Sequence, residues 1–276
     1  MGNYLAMESN FVPSEEFDPV KVRHRDLERI ANAALRVGRT LMECGASVSV
    51  IQEGATLVAR GLGAESIGIR VGYASLAFTV ASNETTITRM VSVGRHGVNH
   101  RLDIAVRGLA TKVAATGGTV RAVNAELDRL IRETPKYPHW FVALATGAAC
   151  AGFGRLLGAD WMAFLPVLAA GAIGQALRHL LLTRCLNIFV MAAMVAFVAG
   201  SFGGWGARLL GSASVDTAMI AATLLLVPGV PATNAQTDIM EGYPTVGSAR
   251  AVWVGMARVF ASTGIWCAQA LLRGFP

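Results

Sequence analysis

The chain has 276 residues, 53% hydrophobic and 15% charged, with a formal net charge of +6. Of its 42 charged side chains, 31 fall in residues 1–136 and 11 in residues 137–276, while the net charge divides about evenly. That distribution excludes an ordinary soluble globule over the second half, and it provides no basic tail for nucleic acid.

Residues 1–18 are expected to be disordered. Glu8, Glu15, Glu16 and Asp18 interrupt any apolar core there, so no signal peptide is expected and a soluble domain over 19–136 should stay in the cytoplasm. From Pro19 the stripe Ile30, Ala34, Leu35, Val37, Gly38, Leu41 predicts a helix that ends near Glu43–Ala46, with Gly45 as its left-handed stop. Ser47 is placed to cap a second helix running through Val58 to Gly61 or Gly63. The period then changes. Ser66–Gly72, Tyr73–Ala81 and Thr85–Val93 read as two or three short antiparallel strands. A helix from about Asn99 to Ala115 follows, then Gly117-Gly118, then a last helix capped by Thr119. The first half is therefore read as α+β.

Pro135 and Pro138 mark a boundary. Residues 137–276 are read as an all-α membrane domain of five spans: Trp140–Leu157, Trp161–Leu180, Leu186–Trp205, Asp216–Glu241 and Thr245–Leu272. The positive-inside bias, with Arg178, Arg184 and Arg250 on the side of the first domain, leaves the C-terminus outside. Gly200 with Gly204, Gly147 with Ala151 and Gly171 with Gly174 offer close helix approaches, within the chain or between copies in a homo-oligomer. Cys44, Cys150, Cys185 and Cys267 have no metal-ligand spacing, so no metal or cofactor is expected.

The fourth span breaks at Pro228-Gly229-Val230-Pro231 and continues into Thr233, Asn234, Gln236, Thr237 and Asp238. Prolines on either side of a glycine stop a helix, and Pro231 can open a new one. Backbone freed in a bilayer must line a cavity, and the new N-terminus suits a carboxylate. Gly229, Pro231, Thr233 and Asn234 are thus candidate substrate-binding residues. If the fifth span begins near Val246, Arg258 lies ~18 Å deep, past the middle of an apolar layer ~30 Å thick. It is the candidate carboxylate ligand. Asp238 either carries a coupling proton or pairs with Arg250. Gln175 and Asn187 are weaker candidates, since single amides often only bridge helices. His96, Asn99, His100 and Asp103 cluster in sequence near Glu43, Cys44 and Ser47, but no GxSxG, HExxH or P-loop accompanies them. A membrane-anchored enzyme or a ligand sensor in the first domain is the alternative reading.

Two stretches carry a family resemblance: residues 41–76 with 97–110, and LLLVPGVPATNAQTDIMEGYPTVGSARAV at 224–252. In order and spacing they resemble the threonine/serine exporter family, and more closely the larger subunit of its two-component form. Pro228, Gly229, Val230, Pro231, Asn234 and Asp238 match its most specific element. The resemblance implies export of small carboxylates, threonine and serine in one form and dicarboxylates such as succinate in the other. It further implies coupling to the proton gradient, a location in the bacterial inner membrane in contact with lipid, and a second small membrane subunit.

Overall fold

The computed structural model describes residues 24–274 except 83, 84, 95, 96, 136 and 185. The disorder expected for residues 1–18, as well as His96 and Cys185, lies outside the described residues.

Helix α1 (His24–Glu43) forms where the apolar stripe predicts it, and it ends in a left-handed Gly45 with φ 88°. α2 (Val48–Gly61) follows, then β1 (Ser66–Val71), β2 (Ser75–Ser82) and β3 (Thr85–Ser92) in one antiparallel sheet of order β1-β2-β3. α3 (His100–Thr116) is capped by Asn99, whose side chain accepts the Leu102 N–H at 3.2 Å; Thr119 caps α4 (Val120–Glu133) through the Ala122 N–H, also at 3.2 Å. The first core lies between α1, α2, α3 and the sheet. Leu27, Val37 and Leu41 of α1 and Leu76, Phe78 and Val80 of β2 are fully enclosed. At roughly 25 cal/mol per Å2 of apolar surface removed from water, each such side chain contributes about 1.5–3 kcal/mol.

The second half is helical: α5 (His139–Leu156), α6 (Phe164–Thr183), α7 (Ile188–Leu209), α8 (Val215–Thr223), α9 (Gly229–Met240) and α10 (Pro244–Arg273). A 3-10 turn at Leu224–Leu226 prolongs α8. Large apolar side chains face outward along these helices, among them Trp140, Phe153, Leu165, Phe202, Trp205, Val259 and Trp266, as a lipid-facing surface requires. Among the described residues α6, α7 and α10 are long and apolar enough to cross a membrane. α8 with its 3-10 turn and α9, bent by 65° at the break, make a fourth span if counted as one. The five-span count is therefore not reached by length and apolarity alone, because α5 carries His139 and Arg155 within only 18 residues.

Small residues set the packing, and the contacts are within the chain. A Cβ added to Gly147 of α5 would meet the Leu168 carbonyl oxygen at 2.3 Å, and one on Gly264 of α10 would meet the Ala193 carbonyl oxygen at 2.2 Å. Gly264, Ala268 and Leu272 pass Ala193, Gly200 and Gly204 in the same order, so α7 and α10 run parallel. At the far end a carboxylate ties two loops: Asp160 accepts from the N–H groups of Ala163 (2.9 Å) and Ala213 (2.7 Å) and from the Ser212 hydroxyl (2.8 Å).

Candidate functional site

The break in the fourth span has a simple physical cause. Pro228 and Pro231 cannot donate to a helix, so α8 stops in its 3-10 turn and Val227 turns extended (φ −68°, ψ 114°). α9 restarts at Gly229, and Pro231 is its third residue, still in the first turn where a missing N–H costs nothing. The restart comes two residues earlier than Pro231 alone predicts. Gly229 is exposed, and a Cβ there would meet no atom within 4 Å. The break lies inside the helical layer, since Leu225 packs against Gly174 in the middle of α6 and beside Ala199 in the middle of α7.

α9 then runs along the turn between α1 and α2. The Asn234 amide donates to the Gly45 carbonyl at 2.6 Å, and Val230 lies beside Gly45. Asp238 is completely buried and Arg250 of α10 is 5% exposed; they pair at 2.7 Å. The other Asp238 oxygen accepts the Val48 N–H at 2.8 Å, while Arg250 also donates to the Ala46 carbonyl at 3.0 Å. Ser47 occupies the cap position of α2 without making a side-chain cap, so the carboxylate that satisfies the helix start comes from α9. Tyr243 completes the joint with a 2.7 Å hydrogen bond to Gln52. Of the two roles open to Asp238 in the sequence, the geometry displays the Arg250 pair.

The remaining candidates are more dispersed. The Thr233 hydroxyl donates back to the carbonyls of Val230 (3.0 Å) and Gly229 (3.2 Å). Asn187 caps α7 through the Phe189 N–H at 2.9 Å. Gln175 is partly buried in α6. Arg258 lies on the exposed face of α10, in a groove with Val259, Ser262, Thr263 and Trp266, none of them from α9. Its depth differs from the sequence estimate. The rings of Trp253 and Phe260 meet Phe189, the second residue of α7, and the start of α10 packs on α9. Some three turns of α10 thus precede the level at which α7 begins, and Arg258 lies near that end rather than past the middle.

In the first half, His100 is exposed, and Asp103 is buried with one oxygen unbonded and Arg107 3.7 Å from the other. Burial first, then the charges of Asp103 and Glu43, push the Cys44 thiol up to about 11, which keeps it protonated and unreactive. Among the described residues no group of three His, Cys, Asp or Glu is placed to hold a metal ion.

Residues 32–272 match the model of the threonine/serine exporter family, ThrE. The chain belongs to that family. A Klebsiella aerogenes protein named "Probable succinate transporter subunit YjjP" is 25% identical over 238 residues, covering 85% of this chain and 92% of its own. The protein of the same name from Escherichia coli K12 is 24% identical over 249 residues, covering 89% and 96%. A Haemophilus influenzae protein without an assigned function is 22% identical over 255 residues, covering 80% and 84%. No solved structure matches. The names of the family and of the two YjjP relatives describe membrane transport, in agreement with the apolar helices.

Two features were missed by sequence reasoning. Ser47 fits a cap locally, and nothing near it points to a carboxylate 190 residues away. Arg178 reads as a flanking loop charge, yet it lies within α6, five residues before the helix ends at Thr183.

Proposed function

We propose that the chain is one subunit of an inner-membrane exporter of small carboxylates, with succinate-type dicarboxylates first and threonine or serine second. The observation that carries the reading is the fourth span, which stops at Leu226 and restarts at Gly229 after a 65° bend inside a layer of apolar helices. Irregular backbone at that depth is tolerated where it lines a water-filled path. In this reading α5 is the fifth span, the half up to residue 136 is cytoplasmic, and the C-terminus lies outside. Gly229, Pro231, Thr233 and Asn234 border the path, and Gln175 and Asn187 lie on helices beside it.

A second small membrane subunit completes the path. The names of the YjjP relatives describe transporter subunits. The exposed face of α10 carries Arg258 together with Ser262 and Thr263, a polar set that lipid alone does not satisfy. Coupling to protons runs through Asp238. Its protonation would remove the charge that holds Arg250 and loosen the first half from α9 and α10.

The test is efflux of succinate, threonine and serine from cells making this chain alone, the second small membrane subunit alone, or both. Efflux is expected only with both. Strong succinate efflux by this chain alone would refute the two-component reading, and no efflux of any of the three by the pair would refute the exporter.

A further inference from the structure

Among the described residues, one guanidinium in α6 has no partner: Arg178, partly buried, makes no hydrogen bond or ion pair with them, and its Nε is closed off from solvent. The other arginines of the spans are engaged or exposed. Arg250 holds Asp238 and Ala46, Arg155 lies over the Trp161 ring at 4.4 Å, Arg208 donates to the Leu272 carbonyl, and Arg258 is exposed on α10.

Arg178 can be placed from its neighbours on α6. Gly174, one turn earlier on the same face, packs against Leu225 and Ala199. Gly171, a further turn back, meets Cys150 and Gly147 of α5. His179, the next residue, stacks on His139 of α5 at 3.6 Å. Arg178 therefore lies between α5 and the fourth span, one turn beyond Leu225 toward the N-terminal half. At that level the fourth span is no longer helical: Val227 is extended and α9 has turned away by 65°. Gln175, one turn farther in on α6, also makes no side-chain hydrogen bond among the described residues. The stretch of α6 just below Leu225 thus carries an unpaired cation, with an amide donor and acceptor one turn above it.

An ionised side chain within a span is costly unless something neutralises it. A planar guanidinium is matched by a carboxylate, which it holds through two parallel hydrogen bonds. We propose that Arg178 receives a carboxylate of the transported solute, with Gln175 hydrogen-bonding the same ligand. This assignment rests on the exporter reading and moves the anion contact from Arg258 to the mouth of the break.

The full chain, purified with its partner subunit, is titrated with succinate and with succinamide, its uncharged counterpart. Wild type is expected to bind succinate and to discriminate against succinamide. Arg178→Gln should weaken succinate about tenfold or more and erase most of the discrimination, Arg178→Lys should recover part of both, and Gln175→Leu should weaken succinate less. Without ligand, Arg178→Gln should melt at a higher temperature, because it removes an uncompensated charge. Wild-type succinate affinity in Arg178→Gln, or a lower melting temperature with the discrimination intact, assigns Arg178 to a snorkelling structural role and overturns the proposal. A wild-type complex that binds neither succinate, threonine nor serine sinks the exporter reading and this site with it.

Discussion

The joint at Asp238 permits a quantitative test. Asp238 is fully buried, with Arg250 on one oxygen and the Val48 N–H on the other. Arg250→Leu leaves that carboxylate without its counter-charge, and Asp238→Ala leaves a buried guanidinium with only the Ala46 carbonyl. Breaking a buried pair from one side costs about 3–5 kcal/mol, and Asp238→Ala also uncaps α2, a further loss of about 1 kcal/mol. If the two effects were independent, the double variant would lose roughly 7 kcal/mol or more. Removing both charges together leaves no buried charge unpaired, only the Val48 N–H and the Ala46 carbonyl, so the expected loss is instead no more than about 3 kcal/mol. Hydrogen exchange of the Val48–Gln52 amides reads the opening free energy of this joint directly. Additive losses, or single-variant losses under about 1 kcal/mol, would show that the pair does not hold the two halves together.

Packing between α7 and α10 is tested at two glycines of one helix. Gly264→Val drives a side chain into the Ala193 carbonyl and should cost about 1–3 kcal/mol or more, whereas Gly255→Ala meets open space and should leave the melting temperature within a degree or two. Cysteine chemistry separates the two halves: Cys267, exposed on α10, should label with maleimide in detergent at pH 7 and be protected when the partner subunit is present, while buried Cys44, held protonated by its raised pKa, should stay unlabelled in both. The Asp160 knot carries a pH sign. Burial opposes ionisation of Asp160, but hydrogen bonds from Ser212, Ala163, Ala213 and Ser214 outweigh it and hold the carboxyl below its usual range. Its stabilisation should be complete above about pH 4, the unfolded value, and lost as pH falls through the lower folded value. Exchange protection of the Ala163 and Ala213 amides should follow that course, and protection lost already between pH 5 and 7 would contradict it.

What the sequence revealed was local. Gly45, Asn99 and Thr119 mark helix ends because the residue and its job lie within a few positions, and Pro228 and Pro231 mark the break for the same reason. What it hid was distant or depended on a reference plane. The cap on α2 is supplied by Asp238, which no spacing rule near Ser47 could supply. The depth of Arg258 was measured from a turn assumed to lie at the membrane surface, whereas α10 carries three further turns against α9 before it meets α7. Gly264, the tightest contact between α7 and α10, has Ala268 four residues on, so this close approach was legible as a small-residue pair even though it was not singled out.

α10 is a single uninterrupted helix of 30 residues, about 45 Å long. At one end Arg250 is clamped to the α1–α2 turn, and at the other Arg208 grips the Leu272 carbonyl. A rod held at both ends cannot tilt freely, but it can twist about its own axis. A twist of about 20° swings a guanidinium ~6 Å off the axis through about 2 Å, close to the difference between making and losing a hydrogen bond. The polar groove of Arg258, Ser262 and Thr263 lies between the two clamps, so torque applied at the α1–α2 turn reaches it without any change in the length or packing order of the spans.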